Sequence, residues 1–339
     1  MNYYEDKKIL IIGGTGTIGS KMVTELLKSN PKVIRIFSRD EYKQFMMQNA
    51  IKDCNKLRFL IGDVRDYDRV ERAMNGIDIV FNLAAMKHVP ACEYNPTEAI
   101  KTNVSGMENV IKAATYNNVQ CVLFTSSDKA INPINAYGAT KLLAEKLVQA
   151  ANFSKGSIRT KFVAVRFGNV MGSRGSVIPF FKKQIIDDGI VTVTDGRMTR
   201  FMMTVKQAVN LTLIAAEKAL GGEVFVLKMP VLLLQELVDV VVEETSRKYS
   251  LDREKINTKV IGLRAGEKMY EELMTEEEAQ YAYEFDDMFA VTPTSFDRLK
   301  YENFYSSCKK AKIKSYTSND EIILSKEQLR NIIKNENLI

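Results

Sequence analysis

Lys8-Ile9-Leu10-Ile11-Ile12-Gly13-Gly14-Thr15-Gly16-Thr17-Ile18-Gly19 decides how this chain is read. The first five residues are a short apolar, β-branched run, the pattern of a strand buried on both faces. A G-x-x-G-x-x-G turn follows, and then an amphipathic helical pattern through Leu26 and Leu27. Glycines between a strand and a helix let backbone N–H groups approach a pyrophosphate, and the helix N-terminus favours its charge. Gly13, Thr15, Gly16, Thr17, Ile18 and Gly19 are therefore the expected contacts of a dinucleotide.

The next strand, Val33 to Phe37, ends at Ser38-Arg39-Asp40. An acid at this point suits a ribose 2′-hydroxyl, whereas an arginine pairs with a 2′-phosphate. Ser38 and Arg39 favour NADP over NAD, unless Arg39 is a plain loop charge. Leu57 to Ile61 leads into Gly62-Asp63-Val64, where Asp63 is placed to meet the adenine amino group. Ile77 to Phe81 leads into Asn82-Leu83-Ala84-Ala85, small residues against which a cofactor can lie. Cys121 to Thr125 and Lys161 to Phe167 complete the series, with helical patterns between, notably Thr97 to Thr115 and Tyr137 to Asn152. Alternation of this kind predicts an α/β fold, a Rossmann-like doubly wound parallel sheet. Ligands in such sheets bind beyond the carboxyl ends of the strands, where all these polar clusters fall.

The strand at Cys121 delivers S-S-D-K-A-I-N-P-I-N-A-Y-G-A-T-K, Ser126 to Lys141. Tyr137 and Lys141 are four apart and share one helix face. A nearby ammonium favours a phenolate, so the tyrosine is expected to take a proton near neutral pH. Ser127 is placed to bond the same hydroxyl. Asp128 beside Lys129 is a second acid/base pair, which points to chemistry beyond hydride transfer; the plainer alternative is a solvated surface pair.

Whole-chain properties fit an enzyme. There are 339 residues and a net charge of +6, with 48 Lys and Arg dispersed against 42 Asp and Glu. No polybasic block indicates a nucleic-acid partner, and the densest patch, Lys309 to Lys314, reads as a solvated face. Cys54, Cys92, Cys121 and Cys308 have no metal-type spacing and resemble reduced cytoplasmic thiols. His88 is the only histidine, which argues against a His-based triad or a multi-His metal site. No signal peptide or apolar run of spanning length is seen; Val231 to Val242 reads as an amphipathic helix.

The second half carries two further polar stretches. Gly168 to Pro179 is a glycine-rich loop opening a helix near Phe180, and it includes Asn169, Val170, Ser176 and Val177. Thr192 to Phe201 includes Thr194 and is expected to set Arg197 and Arg200 in a turn. Then come Leu263-Arg264-Ala265-Gly266-Glu267-Lys268 and Glu271-Glu272. Arg200 and Arg264 have the fork geometry that holds a pyrophosphate, and Glu267 is an acceptor for ribose hydroxyls. Each is also readable as a loop charge in water.

In this order, G-x-x-G-x-x-G, Y-x-x-x-K, R-F-G-N-V and L-R-x-G-E-K resemble the extended short-chain dehydrogenase/reductases that modify nucleotide sugars. N-L-A-A-M-K-H-V-P (82–90), S-D-K-A-I-N-P (127–133) and G-S-R-G-S-V (172–177) resemble the narrower group of UDP-N-acetylglucosamine 4,6-dehydratases. The likeness covers about residues 7 to 285. It implies that Tyr137 takes the C4 hydroxyl proton, that Lys141 holds the cofactor ribose and lowers the tyrosine's pKa, that Lys129 is the base at C5, and that Asp128 protonates the departing C6 hydroxyl. It implies a tightly bound NADP recycled at each turnover, no metal, and Lys87 among the contacts of cofactor and substrate. It places Asn169, Val170, Ser176, Val177, Thr194, Arg200, Arg264 and Glu267 around a UDP-sugar. Some longer members carry N-terminal membrane helices and this sequence shows none, so a cytoplasmic protein without membrane insertion is expected. Tyr137 matches C5-inverting members. A 4-epimerase, a 4-keto reductase and a non-enzymatic NADP sensor share the fold and remain alternatives.

The expected division is a dinucleotide-binding domain over 7–168, with returns at about 196–225 and 260–285. A smaller interleaved α/β substrate lobe is expected from 169–195, 226–259 and 286–339. A homo-oligomer is expected from the resemblance, with the helices Thr97 to Thr115 and Tyr137 to Asn152 as a candidate shared face.

Overall fold

A computed structural model describes residues 2–51, 55–173, 175–263, 266–294 and 298–339. The six expected strands form: β1 Lys8–Ile12, β2 Val33–Ser38, β3 Leu57–Ile61, β4 Ile79–Asn82, β5 Cys121–Thr125 and β6 Lys161–Arg166. They lie in the order β3-β2-β1-β4-β5-β6, all parallel. Val224–Leu227 extends the sheet in parallel beside β6. Strand order reverses between β1 and β4, so their carboxyl ends open a crevice.

Apolar β-branched residues form the centre because both sheet faces are covered. Ile9, Leu10 and Ile11 are fully buried, as are Ile79, Val80 and Phe81. Thr17–Leu27 packs beside Val205–Lys218, while Tyr67–Met74, Gly106–Tyr116 and Ala136–Ser154 pack in series.

A second apolar core lies outside the large sheet. It joins Ile178, Phe181 and Ile185 of the helix Val177–Asp188 to Leu237, Val240 and Val241 of the helix Leu234–Tyr249, with Leu329 and Ile333 of the helix Lys326–Asn335. Two small sheets border it. Ile190–Val193 pairs in parallel with Asn257–Val260, and Thr199–Met203 lies between Asn169–Val170 and Val231–Leu233.

Several expectations are corrected. Segment 286–339, assigned to the smaller lobe, sends Met288–Val291 and Lys309–Lys310 into the large sheet, where Ala282–Glu284 lies between them. These antiparallel strands cover the edge that Val224–Leu227 would otherwise expose, a need that local sequence does not record. Residues 226 and 227, also given to the lobe, complete that strand. Within the 196–225 return, Thr199–Met203 pairs with strands of the lobe rather than with the large sheet. Arg200 is thus in a strand, not a turn. Val231 to Val242 begins as a strand, and its helix starts only at Leu234. The helix expected over Thr97 to Thr115 is interrupted by a π turn at Lys101–Ser105.

Candidate active site

Adjacent residues on a strand point to opposite faces, so Asp128 and Lys129 can meet only if the chain leaves the strand. It does so immediately after β5. Ser127, in an extended conformation, caps a single 3₁₀ turn at Asp128–Ala130, and its Oγ accepts from the Lys129 N–H at 3.3 Å. The turn swings both side chains to one side. Lys129 Nζ lies 2.9 Å from Asp128 Oδ2 and 3.2 Å from Oδ1. Ser127 Oγ donates to Asp128 Oδ1 at 2.7 Å. The Asp128 side chain is 4% exposed and that of Lys129 33%, so this is no solvated surface pair.

Tyr137 stands at the start of the helix Ala136–Ser154, whose N-cap Asn135 accepts from Gly138 N–H at 2.8 Å. The next residue must be glycine for the helix to come this close: a Cβ on Gly138 would sit 2.1 Å from the Lys129 carbonyl oxygen. The helix is held from its other side by Asn103 in the π turn. Asn103 Nδ2 donates to Thr140 Oγ1 and to Met86 O at 2.9 Å each, and its Oδ1 accepts from Met86 N–H at 2.8 Å.

Burial pushes the Tyr137 phenol up to about 12, and Lys129 together with a hydrogen bond to Ser127 opposes this. Lys141 Nζ lies 6.0 Å from the Tyr137 ring centre, donates to the Thr125 carbonyl at 2.9 Å and lies 4.5 Å from the Phe124 ring centre. Burial lowers the Lys141 pKa to about 8. Burial also acts to lower Lys129, but Asp128 and Glu271 carry it well above the ordinary lysine value.

Glu271 is the residue that sequence reasoning left out of the site. Buried beneath the Asp128–Lys129 turn, its Oε1 faces Lys129 Nζ at 4.0 Å. It accepts from Asn169 Nδ2 at 2.8 and 2.9 Å and from Phe201 N–H at 2.9 Å. Its only sequence signal is a place four residues after Glu267 in the L-R-x-G-E-K stretch.

These groups line a chain of cavities at the sheet's carboxyl edge. One of ≈ 270 Å³ is bordered by Gly13, Thr15, Gly16, Ser38, Arg39, Asp63, Val64, Leu83, Ala84 and Ala85. Gly13 has φ +82°, and a Cβ there would lie 2.9 Å from Ala84 N, so the turn closes only around glycine. Gly19 serves packing instead, since its Cβ would meet Gly14 Cα at 2.6 Å. Thr17 begins the helix. Arg39 is 61% exposed, with Nη1 3.6 Å from Asp63 Oδ2. Asp63 is also held by Arg65 at 2.7 Å, which with Arg39 outweighs partial burial and keeps its pKa low.

A second cavity, ≈ 340 Å³, is lined by Ile18, Lys87, Ser126, Ser127, Asp128, Lys129, Tyr137, Asn169, Val170, Ser176 and Val177. Burial, then Lys129, lowers the Lys87 pKa. The Oγ atoms of Ser126 and Ser176 are buried with no hydrogen-bond partner, so this cavity suits a polar ligand. A third, ≈ 540 Å³, shares Asn169, Ser176 and Val177 and adds Thr194, Arg200, Glu267 and the aromatic pair Phe180 and Phe181. Arg200 borders it with its donors already engaged. Nη1 donates to Thr199 O at 2.9 Å and Nη2 to Lys268 O at 2.9 Å. Arg264 lies outside the described residues. Among those residues, no group of three or more His, Cys, Asp or Glu is arranged to hold a metal, and no helix is long and apolar enough to cross a membrane.

Residues 9–293 match the family model described as polysaccharide biosynthesis protein. An X-ray structure of Pen from Bacillus thuringiensis is 52% identical and superposes with a TM-score of 0.93 over 99% of each chain. A Methanocaldococcus jannaschii protein called an uncharacterized membrane protein is 47% identical, over 98% of this chain and 97% of its own length. The UDP-N-acetylglucosamine 4,6-dehydratase (inverting) of Campylobacter jejuni 81-176 is 44% identical, over 86% of this chain and 84% of its own length. A Rickettsia bellii protein named UDP-glucose 4-epimerase is 40% identical, over 98% of this chain and 96% of its own length.

Proposed function

This chain belongs to the polysaccharide biosynthesis protein family, and we propose that within it the protein is a nucleotide-sugar 4,6-dehydratase acting on UDP-N-acetylglucosamine. One observation carries the reading. A buried carboxylate and an amine, 2.9 Å apart, share a cavity with the tyrosine that would take the C4 hydroxyl proton.

The residues present fit a nicotinamide dinucleotide. The glycine turn and the Ser38–Arg39 rim border the adenosine end, while Ser126, Tyr137 and Ile18 border the reactive end. When bound, such a cofactor would take hydride from C4 and return it to C6. Arg39 favours NADP, and recycling within one turnover calls for tight retention.

The chain's own residues supply the proton steps. Tyr137, hydrogen-bonded to Ser127, receives the C4 hydroxyl proton. The ketone then acidifies C5–H, and neutral Lys129 takes that proton. As the C5–C6 double bond forms, the C6–O bond breaks and Asp128 protonates the departing oxygen, releasing water. Lys129 is left as ammonium and Asp128 as carboxylate. Return of hydride to C6 leaves an enolate that needs a proton at C5; Tyr137 delivers the one it took from C4, and one proton crossing the Lys129–Asp128 hydrogen bond restores the pair, so all three groups return to their starting state without an outside acid.

The relatives named 4-epimerase favour a second reading, in which Tyr137 takes the C4 hydroxyl proton and a bound nicotinamide would return the C4 hydride to the opposite face of C4. That reaction has no use for an elimination pair. Incubating the purified protein with UDP-N-acetylglucosamine and no added cofactor separates the two, since the dehydratase product is lighter by one water and the epimer is not. Assembly into a homo-oligomer belongs to the same proposal. Ile100, Tyr116 and Leu143 on the two expected helices and beside them are exposed, and sedimentation would test it.

A further inference from the structure

We propose that Glu271 is a positioning residue of the elimination pair, setting where the Lys129 amine sits and how readily the pair's shared proton passes from Lys129 to Asp128. The inference rests on the dehydratase reading and adds to it a group from a segment well over a hundred residues away.

Glu271 is fixed from three sides. Its two oxygens share the amide of Asn169, which follows β6. Oε2 also accepts from Phe201 N–H in the strand Thr199–Met203. Its backbone N–H donates to Ser318 Oγ at 2.9 Å, and its carbonyl accepts from Ser318 N–H at 2.8 Å. Such anchoring orders the carboxylate before any substrate arrives. Oε1 also faces two cations, Arg200 Nε at 3.5 Å and Lys129 Nζ at 4.0 Å.

The charged groups that face Glu271 come from two elements. Asp128 and Lys129 approach from the turn after β5, and Arg200 Nε approaches from the strand at 3.5 Å. Arg200 Nη2 lies in turn 3.8 Å from Glu267 Oε1. Charges thus alternate from Asp128 through Lys129, Glu271 and Arg200 to Glu267. Asp128, Lys129, Arg200, Glu267 and Glu271 all border one cavity of ≈ 240 Å³. Burial and the neighbouring Asp128 push the Glu271 carboxyl up to about 7 despite Lys129 and Arg200. Its ionisation is thereby moved toward neutral pH. Each time Glu271 ionises, a negative charge appears beside Lys129 and favours the ammonium, the form that cannot take the C5 proton.

The sign of the effect follows. An ionised Glu271 holds the shared proton on Lys129, so elimination slows as pH rises through the Glu271 titration. Glu271→Gln keeps the shape, and its amide oxygen still accepts from Phe201 N–H, but the charge is gone. That alkaline fall should disappear, leaving elimination at high pH about tenfold faster than in wild type, the low end of what a charge at 4–6 Å does to a titrating group. Glu271→Asp keeps the charge but withdraws it by one methylene. Its alkaline fall should remain, with a lower rate throughout.

The test follows single-turnover water loss from UDP-N-acetylglucosamine by mass, and C5–H exchange with deuterated solvent by NMR, from pH 6 to 10. Wild type, Glu271→Gln and Glu271→Asp are compared, with thermal melts as a check on folding. An alkaline fall that disappears in Glu271→Gln and stays in Glu271→Asp supports the proposal. The same alkaline profile in all three proteins overturns it and leaves Glu271 as a support for the Asn169 loop. If Glu271→Gln does not fold, Glu271→Asp decides alone: unchanged exchange at every pH overturns the proposal, and slowed exchange with the alkaline fall kept supports it. Wild-type protein that loses no water at any pH overturns the dehydratase reading itself, a different outcome from wild-type turnover with an indifferent Glu271.

Discussion

Lys129 Nζ lies 2.9 Å from Asp128 Oδ2, although the two residues are neighbours and would diverge on a strand. A one-turn 3₁₀ segment capped by Ser127 makes the meeting possible, and the helix bearing Tyr137 is pressed against that segment's carbonyl. The proposed reaction therefore depends on a small piece of backbone geometry.

The first prediction tests that contact. Gly138→Ala places a methyl where the Lys129 carbonyl oxygen already sits, so the turn and the helix must part. Overpacking of this kind costs about 1–3 kcal/mol, seen as a lower melting temperature. Water loss should fall by more than the stability loss explains, since Tyr137 and the pair are driven apart. Wild-type activity in a stable Gly138→Ala protein would show that the contact has no functional weight.

Tyr137→Phe should block the first oxidation by roughly 10²–10⁴-fold, with no reduced-nicotinamide absorbance on adding substrate. The neighbours act on this step with opposite signs. Lys129 lowers the phenol's pKa and Asp128 raises it, against a burial effect that takes it to about 12. Lys129→Met should therefore move the pH at which oxidation turns on upward, and Asp128→Asn should move it downward. Stopped-flow absorbance across pH would read both shifts.

The buried ion-pair cluster makes a prediction about stability. Arg166 is enclosed in the core, 2.6 Å from Glu145 and 2.9 Å from Glu278, and also donates to Leu273 O at 2.8 Å. It ties the Tyr137 helix to the segment that carries Glu271. Removing it strands two carboxylates, so Arg166→Met should cost about 3–5 kcal/mol in denaturant titration. Burial raises the Glu278 pKa but Arg166 more than compensates, leaving it below the ordinary value. A depressed carboxyl stabilises the fold above its unfolded pKa, and the benefit is lost as pH falls through the folded one. Wild-type stability should thus decline below about pH 4.3, the ordinary glutamate pKa, and Arg166→Met should lose this part of the decline.

Arg39→Ala should release NADP at least about tenfold faster while changing NAD little, because one charge-assisted bond to a 2′-phosphate is worth about 1.5–3 kcal/mol. Dialysis followed by cofactor assay would read the ratio. Equal losses of both dinucleotides would mean that the pairing of Arg39 with Asp63, 3.6 Å away, is its whole role.

The sequence disclosed the parallel half of the fold because each strand there ends in a glycine or polar cluster that marks its carboxyl end, as Ile12 meets Gly13 and Thr125 meets Ser126. Tyr137, Lys141, Asp128 and Lys129 stand out in the sequence as candidates because a four-residue spacing and an acid–base dipeptide are local signals. Glu271 was hidden because its meaning lies in Lys129, Asn169 and Phe201, all distant in sequence. Met288–Val291 was hidden for the same reason, since a four-residue apolar strand says nothing of which edge it will cover. Helix spacing gives the shared face of Tyr137 and Lys141 but not where the ammonium points, which is at the Thr125 carbonyl.

The central claim is that the Asp128–Lys129 pair removes water. Asp128→Asn keeps the size of the side chain and deletes the acid. Mixed with UDP-N-acetylglucosamine in a single turnover, it should develop reduced-nicotinamide absorbance while the sugar nucleotide becomes lighter by two hydrogens only and keeps its C6 oxygen; wild type should return to the oxidised form and release a product lighter by one water. If Asp128→Asn forms the dehydrated product at the wild-type rate, the pair is not the elimination machinery and the account is contradicted.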